Sequence, residues 1–178
     1  MNIATVGTGF IVDSFLSAVN EIEDTECVAM YSRHEETARP LAEKYQVGSI
    51  YTDYDRMLAD TAIDFVYVAS PNSFHYDHAY RALQHGKHVI CEKPFTSTVQ
   101  ETEHLIEFAK QKGLMLFEAI TTIHLPNYKL VREQISKLGR ISFIQCNYSQ
   151  YSSRYDQFLS GETPNVFNPR YSGGALTD

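Results

Sequence analysis

Short apolar runs alternate with stretches in which apolar residues recur every three or four positions, and the alternation persists to Gly139. The runs are residues 2–6, 27–31, 64–69, 87–91 and 114–120, with a weaker, edge-like one at 49–51. Asp64-Phe65-Val66-Tyr67-Val68-Ala69 is the most continuous of them, as expected of a central parallel strand buried on both faces. Helical spacing follows each run: residues 10–22 carry Phe15, Ala18, Val19 and Ile22, and further helices are predicted up to Tyr45, from Asp53 to about residue 60, and over 73–85, 98–112 and 126–138. End signals agree with these limits. Asp53 suits an N-cap, Thr98 with Glu101 makes a capping box, Pro126 suits a first turn, and Gly86, Gly113 and Gly139 suit helix exits. Pro40 predicts a kink or a late start for its helix. Strand–helix alternation of this kind predicts right-handed crossovers and an α/β, doubly wound parallel sheet.

Past Gly139 the pattern changes. Residues 140–151 alternate Ile141, Phe143 and Gln145 with Ser142, Ile144 and Cys146, predicting one long strand, and a polar loop rich in Ser, Asn, Gly and Pro follows to residue 178. The chain therefore reads as a complete dinucleotide-binding (Rossmann) domain over 1–120. A linking helix and the truncated start of an α+β substrate and oligomerisation domain follow over 121–178.

At 178 residues and 43% hydrophobic, the chain can bury a core, which excludes wholesale disorder. Fifteen basic against 22 acidic residues give a charge of −7, which argues against a nucleic-acid or anionic-membrane surface. No apolar run approaches the roughly 18 residues of a membrane span. Three scattered cysteines (Cys27, Cys91, Cys146) form neither a disulfide framework nor a Cys-x-x-Cys site, so a cytoplasmic location is expected.

Gly7-Thr8-Gly9-Phe10-Ile11-Val12 follows a strand and opens a helix, the context of a dinucleotide-binding turn. Gly7 permits the tight turn, and Gly9 lets the N–H groups of the following turn (Phe10, Ile11) approach a pyrophosphate. The third small position is Val12, a departure that weakens the match. About 20 residues on, where an NAD enzyme carries a carboxylate for the ribose 2′-hydroxyl, stand Tyr31, Ser32 and Arg33. A hydroxyl and a guanidinium suit a 2′-phosphate, so NADP is favoured over NAD. The competing reading makes Arg33 a solvated surface residue and gives the ribose to Glu35 or Glu36.

Ser70-Pro71-Asn72 and Glu92-Lys93-Pro94 end the fourth and fifth strands, the edge where open α/β sheets bind ligands. Pro94 holds Lys93 extended and is a candidate for a cis bond. Pro71-Asn72 with His75, then Gly86-Lys87-His88-Val89 leading to Glu92-Lys93-Pro94, resembles the Gfo/Idh/MocA oxidoreductases, with the whole chain as their N-terminal half. Phe117-Glu118-Ala119 and Leu125-Pro126 are similar to the dihydrodiol and xylose dehydrogenase branch, which uses NADP.

The resemblance implies hydride transfer between a nicotinamide cofactor and a small carbohydrate, polyol or diol, in a full-length form that is a homo-oligomer. It implies that Lys93 hydrogen-bonds the reacting oxygen, with Glu92 lining the nicotinamide and Ser70, Pro71, Asn72 and His75 near the cofactor. Lys93 also reads as a surface lysine, and Glu92 as its ion-pair partner. Gly173-Gly174-Ala175-Leu176-Thr177-Asp178 resembles the family's second-domain substrate motif, which makes Asp178 a catalytic partner of Lys93. Only its Asp is present, so this polypeptide is expected to lack a complete active site. Thr121-Thr122-Ile123-His124 departs from the aromatic or arginine residues usual there and leaves substrate preference open. The pairs His75/His78 and His85/His88 have no carboxylate or cysteine at ligand spacing, so no metal is expected. The alternative function is a non-catalytic cofactor- or sugar-sensing regulator of the same fold. Val12 and the altered 121–124 segment count for it; Glu92-Lys93-Pro94 and Asp178 count against it.

Overall fold

The runs with apolar residues on both faces form the centre of the sheet in a computed structural model of the chain, which describes residues 1–147 and 149–174. Six strands, β1 (Asn2–Val6), β2 (Glu26–Tyr31), β3 (Ser49–Tyr51), β4 (Phe65–Val68), β5 (His88–Cys91) and β6 (Leu116–Glu118), pair in parallel in the order β3-β2-β1-β4-β5-β6. On one face Ile3, Cys27, Met30, Phe65 and Tyr67 pack under α1 (Phe10–Val19) and α2 (Glu35–Tyr45), which contribute Val12, Leu16, Val19, Ala38 and Ala42. On the other, Ala4, Val6, Ala29, Val66, Val68, Val89 and Cys91 pack under α3 (Tyr54–Leu58), α4 (His75–Gln84) and α5 (Val99–Lys112). Helices cover both faces, so the sheet is doubly wound.

The end signals act as their chemistry requires. Asp53 accepts from the Arg56 N–H at 3.1 Å, the Thr98–Glu101 capping box is formed, and Gly113 closes α5 in the left-handed region at φ +66°. Pro40 does not delay α2, which starts five residues upstream; the proline removes only the bond that its N–H would have donated to the Glu36 carbonyl. Helix α1 stops at Val19, short of Ile22, and a 3₁₀ turn, Asn72–Phe74, precedes α4. α6 (Pro126–Gln134) continues as a 3₁₀ turn, Ile135–Leu138, up to Gly139.

The long strand expected over 140–151 is corrected: none of its described residues is in a strand, and Phe143 and Ile144 are 80% and 64% exposed. Alternation is a local signal, whereas a strand exists only where a neighbour pairs its backbone groups, and no described residue does so here. The polar loop expected after it is corrected too. It holds α7 (Tyr155–Leu159) and 3₁₀ turns at Asn165–Phe167 and Pro169–Tyr171, and the second of these returns to the sheet edge, where Tyr171 meets Phe74.

Candidate active site

One register row crosses the carboxyl edge of the sheet: Tyr51, Tyr31, Val6, Val68, Cys91 and Glu118 are successive neighbours. The ladder runs one residue further, because Ser32, Gly7, Ala69, Glu92 and Ala119 each donate their N–H to that row at 2.8–3.2 Å. The glycine turn, the Ser32-Arg33 pair, the Ser70 loop and Glu92-Lys93 therefore leave the sheet side by side. The chain winds outward in opposite directions from β1 and β4, which opens the crevice in which such sheets bind ligands.

Gly7 is dictated by the fold. Its φ is +113°, and a Cβ there would lie 2.5 Å from the Ala69 carbonyl oxygen. Gly9 differs: at φ −81° it caps α1, and an added Cβ meets no protein atom within 4 Å. The space above the first turn of α1 is thus open, the turn has no side-chain cap, and Phe10 and Ile11 are exposed beside it. Backbone donors facing open space at a helix N-terminus fit a pyrophosphate. Val12 fits as well: it is completely buried among Ile3, Leu16, Phe65 and Tyr67, so the missing third glycine is absorbed by packing.

At the end of β2 the Ser32 hydroxyl meets that of Thr37 at 2.6 Å, while Arg33 is exposed. Glu35, one of the competing carboxylates, is paired with Arg39 at 2.5 Å. Thr37 donates its own hydroxyl to the His34 carbonyl at 2.7 Å, so the Ser32 proton points at Thr37, and the exposed Arg33 guanidinium is the donor here that suits a phosphate better than a diol.

After β4, the Ser70 hydroxyl meets His78 Nδ1 at 2.9 Å, and Pro71 leads Asn72, whose Nδ2 donates to the Ser172 carbonyl at 3.2 Å. His75 is 1% exposed, with its ring nitrogens 2.8 Å from the carbonyl oxygens of Ser70 and Pro94. It ties the β4 and β5 loops together from behind, with neither nitrogen left for a cofactor or a metal. His85 Nδ1 lies on the Arg81 carbonyl and His88 Nδ1 accepts from the Met115 N–H, so those rings are engaged as well. His78 sits among Tyr31, Tyr54 and Phe74, and burial pushes it down to about 4.

Glu92 is 8% exposed, accepting from the buried Tyr67 hydroxyl at 2.6 Å and from the Lys93 N–H at 3.2 Å. Lys93 is exposed at the rim, and the Lys93–Pro94 bond is cis. Asp178 lies outside the described residues. Tyr67 and Ser172 escaped the sequence reading. Tyr67 was signalled by a phenol in an otherwise apolar strand, which needs a partner when buried; Ser172, 100 residues from Asn72, carried no signal.

The Gfo/Idh/MocA family model, described as an oxidoreductase family with an NAD-binding Rossmann fold, matches residues 1–120. A scyllo-inositol 2-dehydrogenase (NADP(+)) of Bacillus subtilis is 43% identical over 98% of this chain and 53% of its own length. A D-xylose 1-dehydrogenase (NADP(+)) of Haloferax volcanii is 33% identical over 99% of this chain and 52% of its own. A 3-ketoreductase from Actinomadura kijaniata, solved with TDP-benzene and NADP, superposes with a TM-score of 0.73 at 29% identity, over 77% of this chain and 43% of that one. The chain thus spans about half the length of the curated relatives it matches.

Proposed function

Because the chain belongs to the Gfo/Idh/MocA oxidoreductase family, we propose that it binds NADP in preference to NAD and serves hydride transfer at a carbon of a sugar, polyol or diol. The observation that carries this reading is the meeting, on one sheet edge, of an uncapped glycine turn, the Ser32-Arg33 pair and the Glu92-Lys93 pair. The N–H groups at Gly9, Phe10 and Ile11 hold the pyrophosphate. Ser32 and Arg33 hold the 2′-phosphate, while Ser70, Pro71 and Asn72 border the ribose and Glu92 the nicotinamide. When bound, the cofactor supplies a hydride donor or acceptor.

Lys93 does the proton work. Its side chain stands at the rim and hydrogen-bonds the substrate oxygen: as the ammonium it gives a proton when a carbonyl is reduced, and as the neutral amine it takes one when an alcohol is oxidised. Glu92 fixes the backbone from which Lys93 projects, and His75 holds the two loops at a constant separation. Asp178 belongs beside Lys93 in this scheme. The inositol and xylose named for two relatives support the polyol class. Three free cysteines accord with a reducing cytoplasm. No helix among the described residues is long and apolar enough to cross a membrane. Exposed apolar residues along α6 (Leu130, Val131) accord with assembly into a homo-oligomer.

Calorimetry with NADPH on the chain, and NADP-linked oxidation of scyllo-inositol and D-xylose by a full-length form that carries the second domain, test the proposal, each with and without Lys93→Ala. The variant is expected to bind NADPH within about twofold of the parent and to lose about a hundredfold or more in turnover. Undiminished turnover in Lys93→Ala would refute the role given to this lysine.

A further inference from the structure

A carboxylate taken out of water needs hydrogen-bond donors, and the donors decide which way it points. Among the described residues Glu92 has two: Oε2 accepts from the Lys93 N–H at 3.2 Å, and Oε1 from the Tyr67 hydroxyl at 2.6 Å. Tyr67 lies on β4, fully buried, with its ring stacked on Phe15 of α1 at 3.7 Å between centroids and 8° between planes. Phe15 stands on the helix that the glycine turn opens. One train of contacts therefore runs from α1 through two stacked rings to the carboxylate at the end of β5.

We propose that Tyr67 is a positioning residue: its hydroxyl sets the orientation of the Glu92 carboxylate and, through Oε2, of the backbone that carries Lys93. The role rests on reading Glu92 and Lys93 as the nicotinamide end of the site. Burial, and then the bond to Glu92, push the Tyr67 phenol well above its ordinary value, so the hydroxyl is a donor at every pH at which the protein functions. A phenylalanine would keep the core packing and the stack on Phe15 and leave Oε1 of Glu92 without the donor that it has here. The phenol is thus explained by the carboxylate it serves rather than by the volume it fills.

Tyr67→Phe deletes the hydroxyl and keeps the stacked ring. Two readouts on the full chain decide the matter. In the unliganded protein, amide exchange at Lys93 is expected to quicken about tenfold while Val89, inside β5, stays unchanged. In calorimetry, the affinity for NADPH is expected to fall about three- to tenfold while 2′-phospho-ADP-ribose, which lacks the nicotinamide, binds within about twofold of the parent. Phe15→Leu, which loosens the ring but keeps the hydroxyl, should give the same pattern at smaller size. An unchanged Lys93 amide, or an equal loss for both ligands, would overturn the proposal. Failure of the unsubstituted chain to bind NADPH would instead remove the cofactor reading, with the Lys93 amide still deciding the role of Tyr67.

Discussion

His78→Gln should remove a pH-dependent part of the protein's stability. The imidazole is half-buried among Tyr31, Tyr54 and Phe74, with Nδ1 on the Ser70 hydroxyl at 2.9 Å. Burial lowers its pKa from 6.5 to about 4; Arg81 and His75 add to the effect, and Asp77 opposes it. The unfolded chain takes up this proton below about pH 6.5, the folded chain only near pH 4. Between those values the unfolded state binds more protons, so stability present at neutral pH is lost as pH falls through the window. Going from about pH 7.5 to about pH 5.5 costs about 1.3 kcal/mol from this residue alone. Urea unfolding of parent and variant at both pH values isolates the quantity as a difference of differences, since all other groups cancel. Glutamine keeps a partner for Ser70 and cannot titrate. Equal acid losses in the two proteins, or an imidazole that titrates near 6.5 by NMR, would refute the burial argument.

The two glycines of the turn should separate cleanly. Gly7→Ala forces a Cβ against the Ala69 carbonyl at a φ of +113° and should cost about 2–4 kcal/mol of stability. Gly9→Ala meets no protein atom, so it should leave the melting temperature within a degree or two and weaken NADPH binding about tenfold or more. His75→Ala removes the ring that bridges the Ser70 and Pro94 carbonyls and should destabilise by about 2–4 kcal/mol in urea unfolding.

Most of the sheet was legible because its signals are local. Apolar runs, helical periodicity and the Asp53, Thr98 and Gly113 end signals depend on neighbours a few residues away, and the order of elements left few topologies open. What depends on distant partners was not legible. Residues 140–151 alternate as a strand should, yet have no described neighbour with which to pair. The bond from Asn72 to Ser172 spans 100 residues, and nothing local announces it. His75 is intermediate. The resemblance suggested a cofactor contact, but the helix phase of His75, Ala79 and Ala82 (i, i+4, i+7) already marked a buried face, and that face is where the ring lies. Val12 breaks the glycine pattern in sequence and breaks nothing in the packing.

The central claim is that Ser32 and Arg33 make this edge a site for a 2′-phosphorylated dinucleotide. Parallel calorimetric titration of the purified chain with NADPH and NADH tests it most directly, repeated on Arg33→Ala. NADPH should bind at least about tenfold more tightly than NADH, a difference of about 1.4 kcal/mol, and Arg33→Ala should erase most of that preference while leaving NADH unchanged. Equal or tighter binding of NADH by the unsubstituted chain, or binding of neither, would contradict it.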